Sequence, residues 1–395
     1  MKAGGFAIKA VLPLFLILGL ASSCSHSIRP MAVSGPSGPV YLNSSGVFVG
    51  DGTGLRKLPD GGITALHAVG GAVWGTCKPG CGARRLLPEP GTLLVKQDGL
   101  LDDRVAMVAG TDSGTRYYSY DRDLDLGISV QSGTSWIHYS PANSALASGR
   151  IAELVSDAQG GIWVKYARDR LGVARIADGR VVNYTTANSD LPCDSVDMLM
   201  PEPSDNGLAG DQIWLVTVDG LTRFEPAKND WKHYGRRHGD ATDFLRMSGM
   251  DKIFDKAITG INGIAFTAGE AWISTRNRIH RFDGTTFRPL PDNILEGLER
   301  RRYSSIASMG GVVWVTLENL DSRKQEAIAS WSQEKGWRNF PFGKYGLPVA
   351  RSVSSGIVKE EIVFMADEWG SRILLIDAAG TAPIVIAINT GKGEK

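Results

Sequence analysis

The sequence predicts an all-β chain closed into a β-propeller. It predicts seven blades of four antiparallel strands each, or eight if a weak first repeat is completed. Three observations lead there. Bulky residues centre short apolar segments at Trp74, Met107, Trp163, Trp214, Trp272, Trp314 and Phe364; the spacing runs from 33 residues (Trp74 to Met107) to 58 (Trp214 to Trp272). Such a spread fits repeats joined by loops of variable length. The 48 glycines among 395 residues fall largely between apolar segments, as in Gly70-Gly71, Gly160-Gly161 and Gly310-Gly311, which makes the strands short and the hairpins frequent. A Trp-x-x-aromatic spacing closes three of the repeats, at Trp136–Tyr139, Trp231–Tyr234 and Trp337–Phe340. Radial repetition of four-stranded sheets buries the apolar faces and removes exposed sheet edges.

Taken in order, the chain opens with a targeting segment. Lys2 and Lys9 form a positive region, Ala10 to Ala21 is almost wholly apolar, and Ala21-Ser22-Ser23 precedes Cys24. A run this short followed by small residues reads as a signal peptide over 1–23, not a spanning helix. Small residues before Cys24 resemble the lipobox of bacterial lipoproteins, which implies lipidation at Cys24; the alternative is ordinary cleavage and secretion. Residues 24–37 read as a flexible Ser-, Gly- and Pro-rich tether, and 38–390 as the propeller.

A fragment around Gly46–Leu58 looks like the middle of a blade, to be completed by C-terminal strands or to extend an outer strand. Units follow at Ile63–Val95, Arg104–Tyr139, Ile151–Tyr184, Leu191–Tyr234, Ile261–Pro289, Tyr303–Phe340 and Val349–Ile388. The fourth is the clearest. Val196, Met198 and Met200 alternate as one strand, Ile213-Trp214-Leu215-Val216 is apolar enough to be buried on both faces, and Leu221–Phe224 and Trp231–Tyr234 complete it. Two stretches break the pattern: 235–257 reads as a helical insertion, and Asp292–Arg302 as a further short helix.

The segment Asn143–Tyr234 resembles the two-component regulator propeller repeats. Leu191-Pro192, Trp214, Thr217, Gly220-Leu221 and Phe224 follow that outline, and Leu146, Asp157, Gly160-Gly161, Trp163 and Gly172-Val173 follow it one unit earlier. The resemblance implies architecture and transfers no catalytic residue. In that family the propeller is often the sensor of a membrane histidine kinase, whereas no kinase segment follows the repeats in this sequence.

Composition narrows the function. Lys+Arg 43 against Asp+Glu 42 lacks the basic excess of a nucleic-acid binder. Cys77 and Cys81 flank Pro79-Gly80 at a separation that suits a disulfide in an exported chain, and Cys193 is expected to be buried. No HExxH, no Gly-x-Ser-x-Gly elbow and no clustered carboxylate motif occurs, so no catalytic residue, metal ligand or cofactor is assigned. His67, on an inner strand, and His238, in the insertion, are the candidates if the propeller is a hydrolase or lyase acting at its channel mouth. Loops leaving the second strands converge on one rim of a propeller, the default place for a binding site. Arg168, Arg170, Arg276 and Arg278 lie there, Arg301 joins from a loop between blades, and Trp369 offers an aromatic surface. Arginine forks suit carboxylate, sulfate or phosphate. The expectation is a non-enzymatic binding or sensing propeller at the cell envelope, periplasmic and lipid-anchored or else secreted. Its partner would be a small anionic or sugar-like ligand or another envelope protein, with membrane contact only through the anchor. A scaffold in an envelope complex is the other alternative.

Overall fold

A computed structural model describes residues 31–387, apart from 37–38, 44–45, 51–54, 60, 78–79, 112, 203–211, 218–219, 236–260, 268, 276–278, 285–286, 290–300, 310, 359–360, 367–368, 370–371 and 378–382. The expected signal peptide over 1–23, Cys24, and the expected 235–257 insertion beyond Gly235 therefore lie outside the described residues. The described strands form eight antiparallel sheets of four, each pairing its strands in chain order. The blades span 31–57, 63–94, 105–139, 151–184, 196–235, 261–289, 301–341 and 354–387. First strands of most successive blades neighbour one another, blades 5 and 6 are joined through their apolar side chains, and the first strand of blade 1 (Met31–Ser34) lies against that of blade 8 (Ser354–Val358), closing the ring.

The core is divided as the ring is. Eight apolar clusters each join two successive blades. Trp163 and Val173 of blade 4 meet Leu199, Leu215 and Phe224 of blade 5. Trp214 and Val216 of blade 5 meet Ile264, Ile273 and Phe282 of blade 6. Trp74, Trp163, Trp214, Trp272 and Trp314 sit on second strands, buried, each on the face turned toward the following blade. One sheet cannot cover its own apolar face, so each indole is sheltered only when the next blade docks.

Several expectations are corrected. The eight blades fall within the expected seven or eight, but the weak first repeat is completed by Met31–Ser34 and Pro39–Asn43 from its own N-terminal side rather than by C-terminal strands. Val33 is wholly buried there, so four residues assigned to the tether belong to the sheet. Met107 lies on the first strand of blade 3 (Val105–Gly110), where the second strand is Arg116–Tyr120. By register Tyr117, opposite Ala109, holds the place of Trp163 opposite Val155. Phe364 is on a second strand but faces back toward blade 7, while Val363 and Met365 face blade 1. Arg301–Met309 is a strand, so Arg301 and Arg302 are not helical; the rest of the helix expected over Asp292–Arg302 lies outside the described residues.

Two local devices set the channel end of the ring. In blades 2 to 7 the first strand carries a bulge at the same level, leaving Thr64, Ala106, Ala152, Asp197, Asn262 and Ser304 without a partner on the second strand. An extra residue there bends the strand and re-aims its side chains. In blades 2, 3 and 4 a glycine precedes the third strand for a steric reason: Gly172 has φ +71° and a Cβ on it would stand 1.9 Å from the Tyr184 carbonyl oxygen, and Gly82 and Gly127 are as close to a neighbouring carbonyl. The linkers after blades 3 and 4 are tied by asparagine turns. The Oδ1 of Asn143 accepts from the Ser140 N–H at 2.8 Å, and Asn188 does the same for Thr185 at 2.8 Å.

Candidate functional site at the channel mouth

The bulges lie at the end of the ring where second strands turn into third strands. At that end blade 4 differs from its neighbours. Opposite the residue after the bulge, the second strand presents Thr76, Ser119, Val216, Ser274 and Thr316 in blades 2, 3, 5, 6 and 7. All five are buried. Blade 4 places Lys165 there, directly across from Glu153. Their face is the one turned to blade 5, since Trp163 two residues earlier packs on that blade. Blade 5 adds its bulge residue, the exposed Asp197, and the Leu199 N–H, which donates to the Glu153 carboxyl.

The electrostatics follow from this placement. Burial pushes the Glu153 carboxyl up to about 7, against the pull of Lys165, the Leu199 N–H and Arg122. Partial desolvation also raises Asp197, exposed though its side chain is; Lys165 opposes that shift and Asp169 adds to it. Among the ion pairs of the described residues, none includes Glu153, Lys165 or Asp197. An ammonium thus stands near two carboxyls without closing on either, beside the exposed run Arg168-Asp169-Arg170. Hydroxyl, carboxylate and ammonium groups of a small molecule all find a complementary partner in such a set.

Of the residues singled out in the sequence, Arg168 and Arg170 are exposed on this rim, Arg170 with φ 63°. Arg276 and Arg278 lie outside the described residues. Arg301 begins the first strand of blade 7, so it belongs to a blade and not to the loop between blades. Trp369 is corrected: it is 2% exposed, its Nε1 donates to the Pro348 carbonyl at 2.9 Å, and Phe342 packs edge-on against it at 5.0 Å. A ring so enclosed offers no binding face. Cys77 and Cys81 are joined as a disulfide with Cα atoms 5.6 Å apart, on the same rim in blade 2. Cys193 is half-buried, not buried, because the linker carrying it runs over the surface.

His67 is on the first strand of blade 2 but is buried, with Nε2 3.2 Å from the Thr76 hydroxyl, and burial lowers it to about 4. It is held as a neutral interior side chain. His238 lies outside the described residues. No group of three or more His, Cys, Asp or Glu able to hold a metal occurs among the described residues.

The opposite rim carries charges of another kind. Asp157 Oδ2 accepts from Trp163 Nε1 at 3.0 Å and Arg175 Nε at 2.7 Å, while Oδ1 accepts from the Gly161 N–H at 2.7 Å. In blade 5 Glu202 takes Trp214 Nε1 at 2.7 Å and pairs with Arg223 at 3.3 Å. Arg85, Arg175, Arg223 and Arg281 each stand across from the blade's tryptophan. Sequence reading passed over this recurrence, although an arginine 9 residues after Trp214 and again after Trp272 is visible in it. The Glu153–Lys165 pair was also passed over. Its signal was charged residues on strands whose counterparts are apolar or hydroxyl-bearing.

No family model matches the chain, and no curated protein matches it. Among solved structures the chain is similar to the extracellular domain of a protein described as a hybrid two-component system of B. thetaiotaomicron, with 11% identity, TM-score 0.46, and 95% of this chain against 59% of that one. It is similar also to AztD of Citrobacter koseri, with 13% identity, TM-score 0.41 and coverage of 66% and 70%. A third is PorZ of Porphyromonas gingivalis, described as a surface component of the type-IX secretion system, with 10% identity, TM-score 0.39 and coverage of 92% and 58%. The chain spans about three-fifths of the first of these. At such identities and scores the propeller rests on its own eight sheets. No helix among the described residues is long and apolar enough to cross a membrane.

Proposed function

We propose that this chain is a non-enzymatic extracytoplasmic propeller of the two-component regulator repeat type, which binds or senses a small ligand at the cell envelope. The ligand seats at the channel mouth between blades 4 and 5, and is anionic or sugar-like. One observation carries the reading: Lys165 and Glu153 stand where other blades keep small hydroxyl-bearing or apolar residues, Asp197 joins them from blade 5, and none of the three is in an ion pair among the described residues. Arg168 and Arg170 extend the donor set on the exposed rim. Cys24 is the anchor point in this reading.

Titration calorimetry with glucuronate, inorganic phosphate and neutral oligosaccharides tests the site. Binding of at least one probe that K165T abolishes is the expected result. Binding unchanged in K165T removes the site from the proposal. The anchor is tested separately: the protein should fractionate with membranes, and C24A should release it into the soluble extracytoplasmic fraction.

A second reading, a hydrolase or lyase at the same mouth, is favoured by the Glu153 carboxyl, which titrates near neutrality beside an ammonium. Product formation from a probe, lost in E153Q, would decide for it.

A further inference from the structure

Far from the channel mouth, on the outer half of blade 4, lies a half-open groove of about 370 Å³ lined by Arg175, Ala177, Asp178, Arg180, Val182 and Tyr184. Blade 5 shows why the groove exists. The position of Ala177, paired with Arg180, is held there by Glu225, paired with Asp230. Glu225 is capped by Lys228 at 2.7 Å. Blade 4 thus substitutes a methyl group for a carboxylate on the floor and a guanidinium for a carboxylate on the wall.

The two arginines are presented differently. Arg175 is oriented through Nε on Asp157 at 2.7 Å and one Nη2 contact to Gln159 at 3.4 Å, with a side chain 16% exposed. Three of its five N–H groups take no part in those bonds. Arg180 is exposed and joins none of the ion pairs of the described residues. It leaves a tight turn in which Asp178 and Gly179 have φ 50° and 71°. That turn is pinned from the preceding blade, where the Tyr139 hydroxyl donates to the Gly179 carbonyl at 3.1 Å. Asp178 lines the groove as well, but its charge also bears on Tyr117 of blade 3. The Tyr184 ring stacks on Trp163 at 5.6 Å, which holds it in place at the groove.

We propose that this groove is a second ligand site, independent of the channel mouth, which takes an oxyanion (carboxylate, sulfate or phosphate) carried on a small apolar or sugar-like body. The oxyanion lies between the Arg175 and Arg180 guanidiniums, and the body lies over Ala177 and against Val182. A fixed fork on one side and a free fork on the other suits two-point recognition of a planar or tetrahedral anion.

The test titrates the full chain with inorganic sulfate, inorganic phosphate and benzoate at constant ionic strength, read by calorimetry and by amide shifts of the 175–184 strands. Saturable binding of at least one probe is expected, with shifts of those strands that titrate separately from any shifts at the channel mouth. R180A should weaken it about tenfold, the size of a lost charge-assisted contact. R180K should weaken it less, and D178N should tighten it by removing the nearby carboxylate. Arg180 is exposed and outside the Asp157 network, so these variants fold. K165T must leave this binding unchanged. Absence of saturable binding for all three probes overturns the proposal, as does binding that R180A leaves untouched.

Discussion

Blade 4 carries a carboxylate and a cation at each end, and the two ends behave differently. At one rim Asp157 is closed in: it accepts from an indole, a guanidinium and two backbone N–H groups. At the other, Glu153 faces Lys165 across one strand pair, yet neither joins an ion pair among the described residues. The first arrangement satisfies nearly every lone pair of a buried carboxylate, and such a network holds a fold together. The second leaves charge unsatisfied where solvent and ligands can enter, which gains the fold nothing. The same residue types are fully bonded in one place and left open in the other, and the completeness of their bonding is what separates the architectural cluster from the proposed recognition site.

That comparison can be broken at either end. The largest effect should come from D157A, which strands the Trp163 indole N–H, the Arg175 guanidinium and the Gly161 amide. Denaturant unfolding should show a loss of about 3–5 kcal/mol, the cost of uncovering a buried charge partner. Gly161 belongs to the same unit: a Cβ there would stand 2.6 Å from Arg175 and 2.7 Å from Asp157, so G161A should destabilise through the same contacts.

His67 supplies the next effect. Its folded pKa, about 4, lies below the ordinary 6.5. Above 6.5 both folded and unfolded forms are neutral and its contribution is complete. As pH falls from 6.5 to 4 the unfolded chain takes the proton first, and stability declines by at most about 3 kcal/mol. Equilibrium unfolding across that window should lose this slope in H67Q.

Glu153 has the opposite sign. Its folded pKa, about 7, lies above the ordinary 4.5, so the folded form holds the proton longer and stability falls as pH rises from 4.5 to 7. E153Q should remain flat through that window and exceed the parent at pH 8 by about 1–2 kcal/mol, a figure reduced by solvent screening at the mouth. The smallest stability change belongs to K165T, which installs the residue type found in blades 2 and 7. Its stability should stay within about 1 kcal/mol of the parent, while binding at the mouth is lost. If K165T instead unfolds the protein, Lys165 belongs with Asp157 and the contrast between the rims collapses.

The fold was largely legible. Five tryptophans at blade spacing, with glycine turns between them, sufficed because packing against a neighbouring blade imposes one large apolar residue per repeat. Legibility failed where that residue is absent. Blade 3 uses Tyr117, and blade 8 turns Phe364 to the other face, so a search for bulky residues found the right blades and the wrong strand or face. Blade 1 was read as a fragment because Met31–Ser34 is only four residues long and follows a Ser- and Pro-rich stretch. The candidate site was far less legible. Arg168 and Arg170 could be placed on the rim from the sequence because loops advertise charge. Glu153, Lys165 and Asp197 were missed because they sit on strands, 12 and 32 residues apart, and acquire meaning only beside one another.

Alone, the amino-acid order determined that the chain forms short amphipathic ribbons, roughly how many, and that each must hide an indole or its substitute against something else. Those are local properties of period, turn chemistry and side-chain size. The ring decided the rest: that the first blade is whole, that Trp369 is enclosed, and that Arg301 belongs to a strand. It also decided that one ammonium and two carboxyls share the channel mouth. Such facts depend on which strand docks beside which, and long-range contacts leave no periodic trace in the residues that make them.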